Sequence, residues 1–189
     1  MLIKIGIGLL VLVIVLAIAI ATRPDTFRVE RSALIAAPAD VVFGFVNDFH
    51  QWSLWSPWEK LDPNMTRTFS GAPAGVGAVY TWSGNSKAGE GSMAIKESTR
   101  NDRIAIDLNF LRPFKSNNLT EFTFKPSANG VHLTWAMSGD NTALGKAMSL
   151  VASMDKIVGK DFERGLANLK ALSESETTRG GVTPSKAGP

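Results

Sequence analysis

Two hydrophobic periods organise the chain after a first segment that has none. Leu2 to Ala21 is apolar throughout except for Lys4. A helix over that run, at about 1.5 Å per residue, spans about 30 Å, the thickness of a bilayer core. Residues 1–22 therefore read as a single transmembrane anchor, with the membrane contacted through residues 2–21. The competing reading is a cleaved secretory signal: Lys4 as its charged region, Ile5 to Ile18 as its apolar core and Ala19-Ile20-Ala21 as an A-x-A-like cleavage site. The length favours the uncleaved anchor. Lys4 and the amine on one side are nearly balanced by Arg23, Arg28 and Arg31 on the other. The short tail before Lys4 resembles a signal anchor, which leaves the amine inside and the following domain extracytoplasmic. Thr22 to Thr26, holding Pro24, is a short tether.

Beyond the tether the period is two, then near 3.6, then two again. Phe27 to Ala36 alternates as a strand. Pro38 fits the first turn of a helix, where its missing N–H is not needed, and Asp40 to Phe49 carries Val41, Val42, Phe45, Val46 and Phe49 at helical spacing. His50 to Trp58 is a shorter helix or turn ended by Pro57. Six strands follow between turn residues: Thr66 to Ser70, Gly77 to Ser83, Gly91 to Glu97, Arg103 to Phe110, Asn118 to Lys125 and Val131 to Ser138. Asn129-Gly130 predicts a tight hairpin. Connections this short imply antiparallel pairing.

The last element is a long helix, Thr142 to Leu172, capped by Asp140 or Asn141. Leu144, Met148, Val151, Met154, Val158, Phe162, Leu166 and Leu169 form its apolar stripe, and Asp155 projects inside that stripe. The polar residues 173–189 read as a disordered tail. The predicted fold is α+β: a seven-stranded, curved antiparallel sheet wrapped around the long C-terminal helix, with two short helices after strand 1 and an N-terminal transmembrane helix. One domain, residues 23–172, holds it. The wedge between sheet and helix is the natural place for a cavity.

Composition narrows the chemistry. Among 189 residues there are no cysteines and two histidines, so thiolate catalysis, disulfides and cysteine-based metal sites are excluded. A net charge of +3, without a Lys/Arg run, argues against a nucleic-acid partner. No cofactor and no metal site is expected. His132 alternates outward, and His50 is remote from it in sequence. Gly71, Gly75, Gly77, Gly84, Gly89 and Gly91 precede strands rather than helices, so they read as turns and not as a phosphate cradle. No serine-nucleophile motif is present. Glu90, Asp107 and Glu121 have outward parity. Arg112, beside Pro113, reads as a solvated turn residue.

Arg28, Ala37-Pro38-Ala39-Asp40-Val41-Val42-Phe43, Asn47-Asp48, Trp52 and Trp55-Ser56-Pro57-Trp58 together resemble the polyketide cyclase/dehydrase-like branch of the START-like (SRPBCC) helix-grip superfamily. The similarity continues through Gly75-Val76-Gly77, Gly89-Glu90-Gly91 and Phe162-Glu163-Arg164-Gly165-Leu166-Ala167-Asn168-Leu169-Lys170. It covers nearly all of residues 27–172. The resemblance implies a helix-grip fold and a cavity for a hydrophobic ligand. It carries over no catalytic motif, because the superfamily includes lipid carriers, receptors, cyclases and co-chaperones.

Within that frame Trp52, Trp55, Tyr80, Trp82, Phe110, Phe122, Trp135, Met137, Met148, Asp155 and Phe162 are the candidate ligand-binding residues. Trp52, Trp55 and Trp58 recur every third residue, either as an aromatic gate at the mouth or as packing of the short helix on the sheet rim. Asp155 is either a structural acid paired with an arginine such as Arg31 or a polar hook and proton carrier in the cavity. The expected function is a membrane-tethered module binding a hydrophobic or amphipathic small molecule, lipid-like or aromatic. The alternatives are a cyclase/dehydratase-like enzyme moving a proton with Asp155 or Tyr80, and a protein-interaction domain with a filled core. No protein partner is named by the sequence.

Overall fold

Alternating apolar residues put one face of each strand toward a common interior, and seven such strands suffice to curve around a helix. The computed structural model describes residues 2–150 and 153–180. Its strands are β1 (Thr26–Ile35), β2 (Thr66–Gly71), β3 (Ala78–Ser83), β4 (Glu90–Thr99), β5 (Arg103–Arg112), β6 (Ser116–Ser127) and β7 (Gly130–Asp140). They form one antiparallel sheet in the order β1-β7-β6-β5-β4-β3-β2. β2 to β7 are thus a meander, and β1 returns to the outer edge of β7. Register shifts between Ile95 and Glu97 and between Glu90 and Gly91 mark bulges in β4, which bend a strand and increase its twist.

The β6–β7 hairpin sits one residue earlier than Asn129-Gly130 predicts. Ser127 pairs with Gly130, so the central residues are Ala128 and Asn129. Gly130 is already in the strand at φ 138°. Glycine is needed there because a Cβ would collide with the Ile35 carbonyl oxygen at the end of β1.

Helix α1 (Leu2–Ala21) is the apolar N-terminal segment. α2 (Ala39–Asn47) buries Val42, Phe43 and Val46. α3 (Trp52–Trp55) is one turn, flanked by 3-10 turns at Phe49–Gln51 and Pro57–Lys60. The single helix expected over Thr142–Leu172 is two: α4 (Ala143–Met148) and α5 (Met154–Gly180). Each helix has its own side-chain cap. Thr142, rather than Asp140 or Asn141, accepts from the Gly145 N–H at 3.2 Å, and the Ser153 hydroxyl accepts from the Lys156 N–H at 3.3 Å.

α5 also runs into the stretch expected as tail. Ser173 and Thr177 are buried against the domain, and Glu174 accepts from the Ala36 N–H at 2.8 Å while pairing with Lys170. Residues 181–189 of that expected tail, and Val151 of the predicted stripe, lie outside the described residues, as does the side chain of Leu144.

α5 lies along β1 and against α2 and α3. Its Leu166 and Leu169 meet Ile35, Val131, Leu133, Phe124, Ile104 and Ile106 in one fully buried cluster. That is the closed end of the grip. Toward Met154 the helix leaves the sheet uncovered, and there the interior opens.

Candidate functional site

The strands pass from the closed end to the open end without changing face, but their inward residues change character. On β6 the inward positions run Phe124, Phe122, Thr120, Asn118, Ser116, from aromatic to small and polar. A cavity of about 430 Å³ occupies the space this leaves beneath α4 and the first turns of α5. That volume suits a small organic ligand.

Eight of the eleven candidate residues line it. Trp135, Met137 and Phe162 form the inner wall, Tyr80, Trp82 and Phe110 the flank, and Trp52 and Met148 opposite margins. Trp135 lies flat on Phe162 with ring centroids 4.1 Å apart and 10° between planes. Gly165 makes room for this stack: a Cβ there would lie 2.8 Å from Trp135 Cζ3 and 3.2 Å from Pro57 Cδ. Gly91 plays the same part for Trp82, whose ring occupies the place of the missing side chain.

Three candidates are elsewhere. Phe122 is fully buried behind Trp135, stacked at 5.0 Å. Trp55 is 1 % exposed and meets the same ring edge-on at 5.5 Å. Both form a layer behind the cavity wall and do not reach the cavity. Of the two readings of these tryptophans, packing of the short helix describes Trp52 and Trp55. The Trp52 indole N–H donates to the Val46 carbonyl at 3.0 Å and that of Trp55 to the Phe45 carbonyl at 3.1 Å. These bonds tie α3 to α2, since a buried indole N–H needs a partner. Trp52 and Trp58 border the cavity from that position.

Asp155 does not enter the cavity either. Its side chain is 52 % exposed and is bound by Arg31, whose Nη1 donates to Oδ1 at 2.7 Å and Nη2 to Oδ2 at 3.1 Å. Arg31 Nε also donates to Glu163 at 2.8 Å. The guanidinium lies across Gly159, where a Cβ would collide with it. Helical periodicity correctly turns Asp155 toward the sheet, but what it meets is edge strand β1, where Arg31 pairs in register with Trp135. The Arg31 hydrogen bonds hold the Asp155 carboxyl below the usual carboxylate range. The arginine-paired reading of Asp155 is therefore the structural one.

The acid that does reach the cavity is Glu59, on the 3-10 turn after Pro57. Its side chain is 8 % exposed. Tyr80 Oη donates to Oε1 at 2.7 Å and Arg67 Nε to Oε2 at 2.7 Å, while Arg67 Nη2 takes the Glu59 carbonyl at 2.9 Å. Burial, and then the bond to Glu59, push the Tyr80 phenol well above its usual range. Tyr80 is thus a fixed hydrogen-bond donor, not a base. No periodic signal marks Glu59, because a single 3-10 turn has none. Thr120, Asn118, Met93 and Leu108 also line the cavity; Thr120 and Asn118 share strand parity with Phe122, and Leu108 with Phe110, so these three were legible by that rule. The Thr120 hydroxyl and the Trp135 indole N–H have no hydrogen-bond partner among the described residues.

His132 is exposed, and His50 stacks on Phe69 with Nδ1 2.8 Å from Asp48. Among the described residues no group of three or more histidine, aspartate or glutamate side chains could hold a metal ion. Arg112 ends β5 and pairs with Glu90 at 2.6 Å, so it is less free than a turn residue.

A search of the curated proteins finds no match. Among solved structures, protein CV1439 from Chromobacterium violaceum is similar at 18% identity and a TM-score of 0.56, covering 80% of this chain and 99% of its own. A protein from Rhizobium leguminosarum is similar at 13% identity and 0.59, covering 79% and 95%. The di-domain ARO/CYC BexL matches at 19% identity and 0.58, covering 84% of this chain but 53% of its own, so this chain spans about half of that protein. These likenesses share the fold. A family model described as polyketide cyclase / dehydrase and lipid transport matches residues 26–174, from the first residue of β1 well into α5. With the curved sheet, the gripped helix and the cavity between them, the chain belongs to the polyketide cyclase/dehydrase and lipid transport family.

Proposed function

We propose that this protein is a membrane-tethered binding module that holds one hydrophobic or amphipathic small molecule, lipid-like or aromatic, between its sheet and α5. The observation that carries the reading is the cavity of about 430 Å³, walled by Trp135, Phe162, Met137, Tyr80, Trp82 and Phe110. Burying apolar ligand surface there is worth roughly 25 cal/mol per Å². The polar groups of the wall, Glu59, Asn118 and Thr120, would fix a ligand's orientation. α1 is long and apolar enough to cross a bilayer, a test that a signal sequence also meets. As an uncleaved anchor with its amine inside, it would hold the domain on the extracytoplasmic face. The test is extraction of the purified full-length protein followed by mass spectrometry, with titration of a fluorescent fatty acid. A bound lipid or saturable uptake is expected. Protein that is repeatedly empty and refuses the probe would refute the proposal.

A second reading, a cyclase/dehydratase-like enzyme, is favoured by one observation: the hydrogen-bonded Tyr80–Glu59–Arg67 group in the wall. Asp155, bound outside by Arg31, has no part in it. In that reading Tyr80 would have to leave Glu59 and turn its one O–H toward a developing enolate, and the cavity shape would orient a poly-carbonyl chain. Product formation from such a chain that Tyr80→Phe abolishes, with unchanged fatty-acid binding, would favour it over the carrier.

A further inference from the structure

We infer that the cavity mouth is pressed against the bilayer, with the β5–β6 loop embedded in the lipid interface, so that the ligand enters from the membrane and not from water. The inference rests on the membrane-anchor reading of α1 and goes beyond it, because a tether alone leaves the domain free to face any direction.

The tether here is short and pinned. Residues 22–25 join α1 to β1, and four residues reach at most about 14 Å. Both ends of that link are fixed to the cavity rim. The Asn141 N–H donates to the Asp25 carbonyl at 2.7 Å and its side-chain amide to the Pro24 carbonyl at 3.1 Å. Lys146 on α4 pairs with the Asp25 carboxylate, and α1 packs against α4. Asn141 and α4 are themselves one lip of the cavity. A bilayer containing α1 therefore lies directly at that lip.

The opposite lip is dressed for the same surface. Phe114, at the tip of the β5–β6 loop, is 57% exposed, and Leu111 beside it is 49% exposed. Met148 and Ile157, on the helical lip, are 46% and 47% exposed. Exposed apolar side chains clustered around an opening mark a surface made to be covered. Arg112, Lys115 and Lys156 stand among them, against Asp140 and Asp155. Lys146 and Arg112 are engaged by Asp25 and Glu90, and Asp155 by Arg31. An apolar rim with flanking cations fits an anionic lipid surface.

The chain contains no cysteine, so single-cysteine variants report one site each. Phe114→Cys, Ile14→Cys and Val76→Cys, each spin-labelled in the full-length protein reconstituted into 4:1 phosphatidylcholine/phosphatidylglycerol vesicles, would be compared for collision with oxygen and with a water-soluble nickel chelate. Val76, in the β2–β3 loop at the closed end, is 59% exposed and is the aqueous reference. The expected result is Ile14 deep in the bilayer, Phe114 at interfacial depth with a several-fold higher oxygen-to-nickel ratio than Val76, and Val76 in water. Ile14 in lipid with Phe114 as wet as Val76 would overturn the inference and leave the anchor standing. Ile14 in water would overturn both. Leu111→Cys, on the same loop, replaces Phe114→Cys should that chain not fold.

Discussion

The two ends of the space beneath α5 are built from the same strands and the same helix, yet one is solid and the other hollow. At the closed end Phe124, Leu133, Ile104 and Ile106 meet Leu166 and Leu169 with no exposure above 2 %. At the open end Thr120, Asn118, Met137 and Leu108 face Val158 and Met154 across the cavity. Trp135 stacked on Phe162 divides them. Backbone topology is therefore not what makes the cavity. Side-chain volume at inward positions makes it.

The comparison yields predictions, the largest effect first. Phe124→Ala, at the closed end, should cost about 3–5 kcal/mol, the usual range for emptying a packed aromatic site. Phe110→Ala, on the half-exposed cavity flank, should cost only about 1 kcal/mol. Denaturant unfolding of the detergent-solubilised chain, followed by tryptophan fluorescence, measures both, and equal losses would erase the distinction between the ends. Gly165→Ala pushes a methyl onto Trp135 at the divide and should destabilise by about 1–3 kcal/mol. Gly44→Ala, on the exposed face of α2 with nothing within 4 Å, should stabilise by up to about 1 kcal/mol in the same assay.

Within the open end the polar groups differ. Tyr80→Phe strips a donor from the buried Glu59 carboxylate and should cost about 1–3 kcal/mol. Thr120→Val removes a hydroxyl that has no partner among the described residues and should change stability by less than about 0.5 kcal/mol. A costly Thr120→Val would reveal a partner for that hydroxyl. The smallest effect concerns acid. Because Arg31 lowers the folded-state pKa of Asp155, the stabilisation from this pair is complete above the unfolded value, near 3.9, and fades as pH falls through the lower folded value. Asp155→Asn should therefore flatten stability slightly in that acid window and leave neutral-pH ligand uptake unchanged. A large loss of uptake would return Asp155 to the cavity.

How much of this was legible depended on the kind of signal. Strand parity located Tyr80, Trp82, Phe110, Trp135 and Met137 on the inner face, and the same rule applied one step further reaches Thr120 and Asn118. Parity names a face but not a depth, so it did not show that Phe122 lies behind the wall, and the every-third spacing of Trp52, Trp55 and Trp58 did not show it for Trp55. Helical phase turned Asp155 toward the sheet and strand parity offered Arg31 as its partner, but only the structure shows the two bonded, at 2.7 Å, outside the cavity. Glu59 was invisible because one 3-10 turn carries no period, and its neighbours Tyr80 and Arg67 are distant in sequence. The end of α4 at Met148 was hidden because apolar spacing continues past it, whereas Ser153, which caps the start of α5, was a local sign of a new helix. The polar residues 173–180 read as tail because Ser173 and Thr177 are small, and smallness is what lets them pack against the domain.

By itself the sequence determined the period of every strand, the meander, the gripped helix and the apolar first segment, because each is written in local alternation of side chains. Tertiary structure alone decided where the interior is filled and where it is empty, which acid is paired on the flank and which lines the cavity, and that the tether is fastened to the cavity's own rim. Those are properties of distances between residues remote in sequence. No local pattern constrains them until the chain has closed.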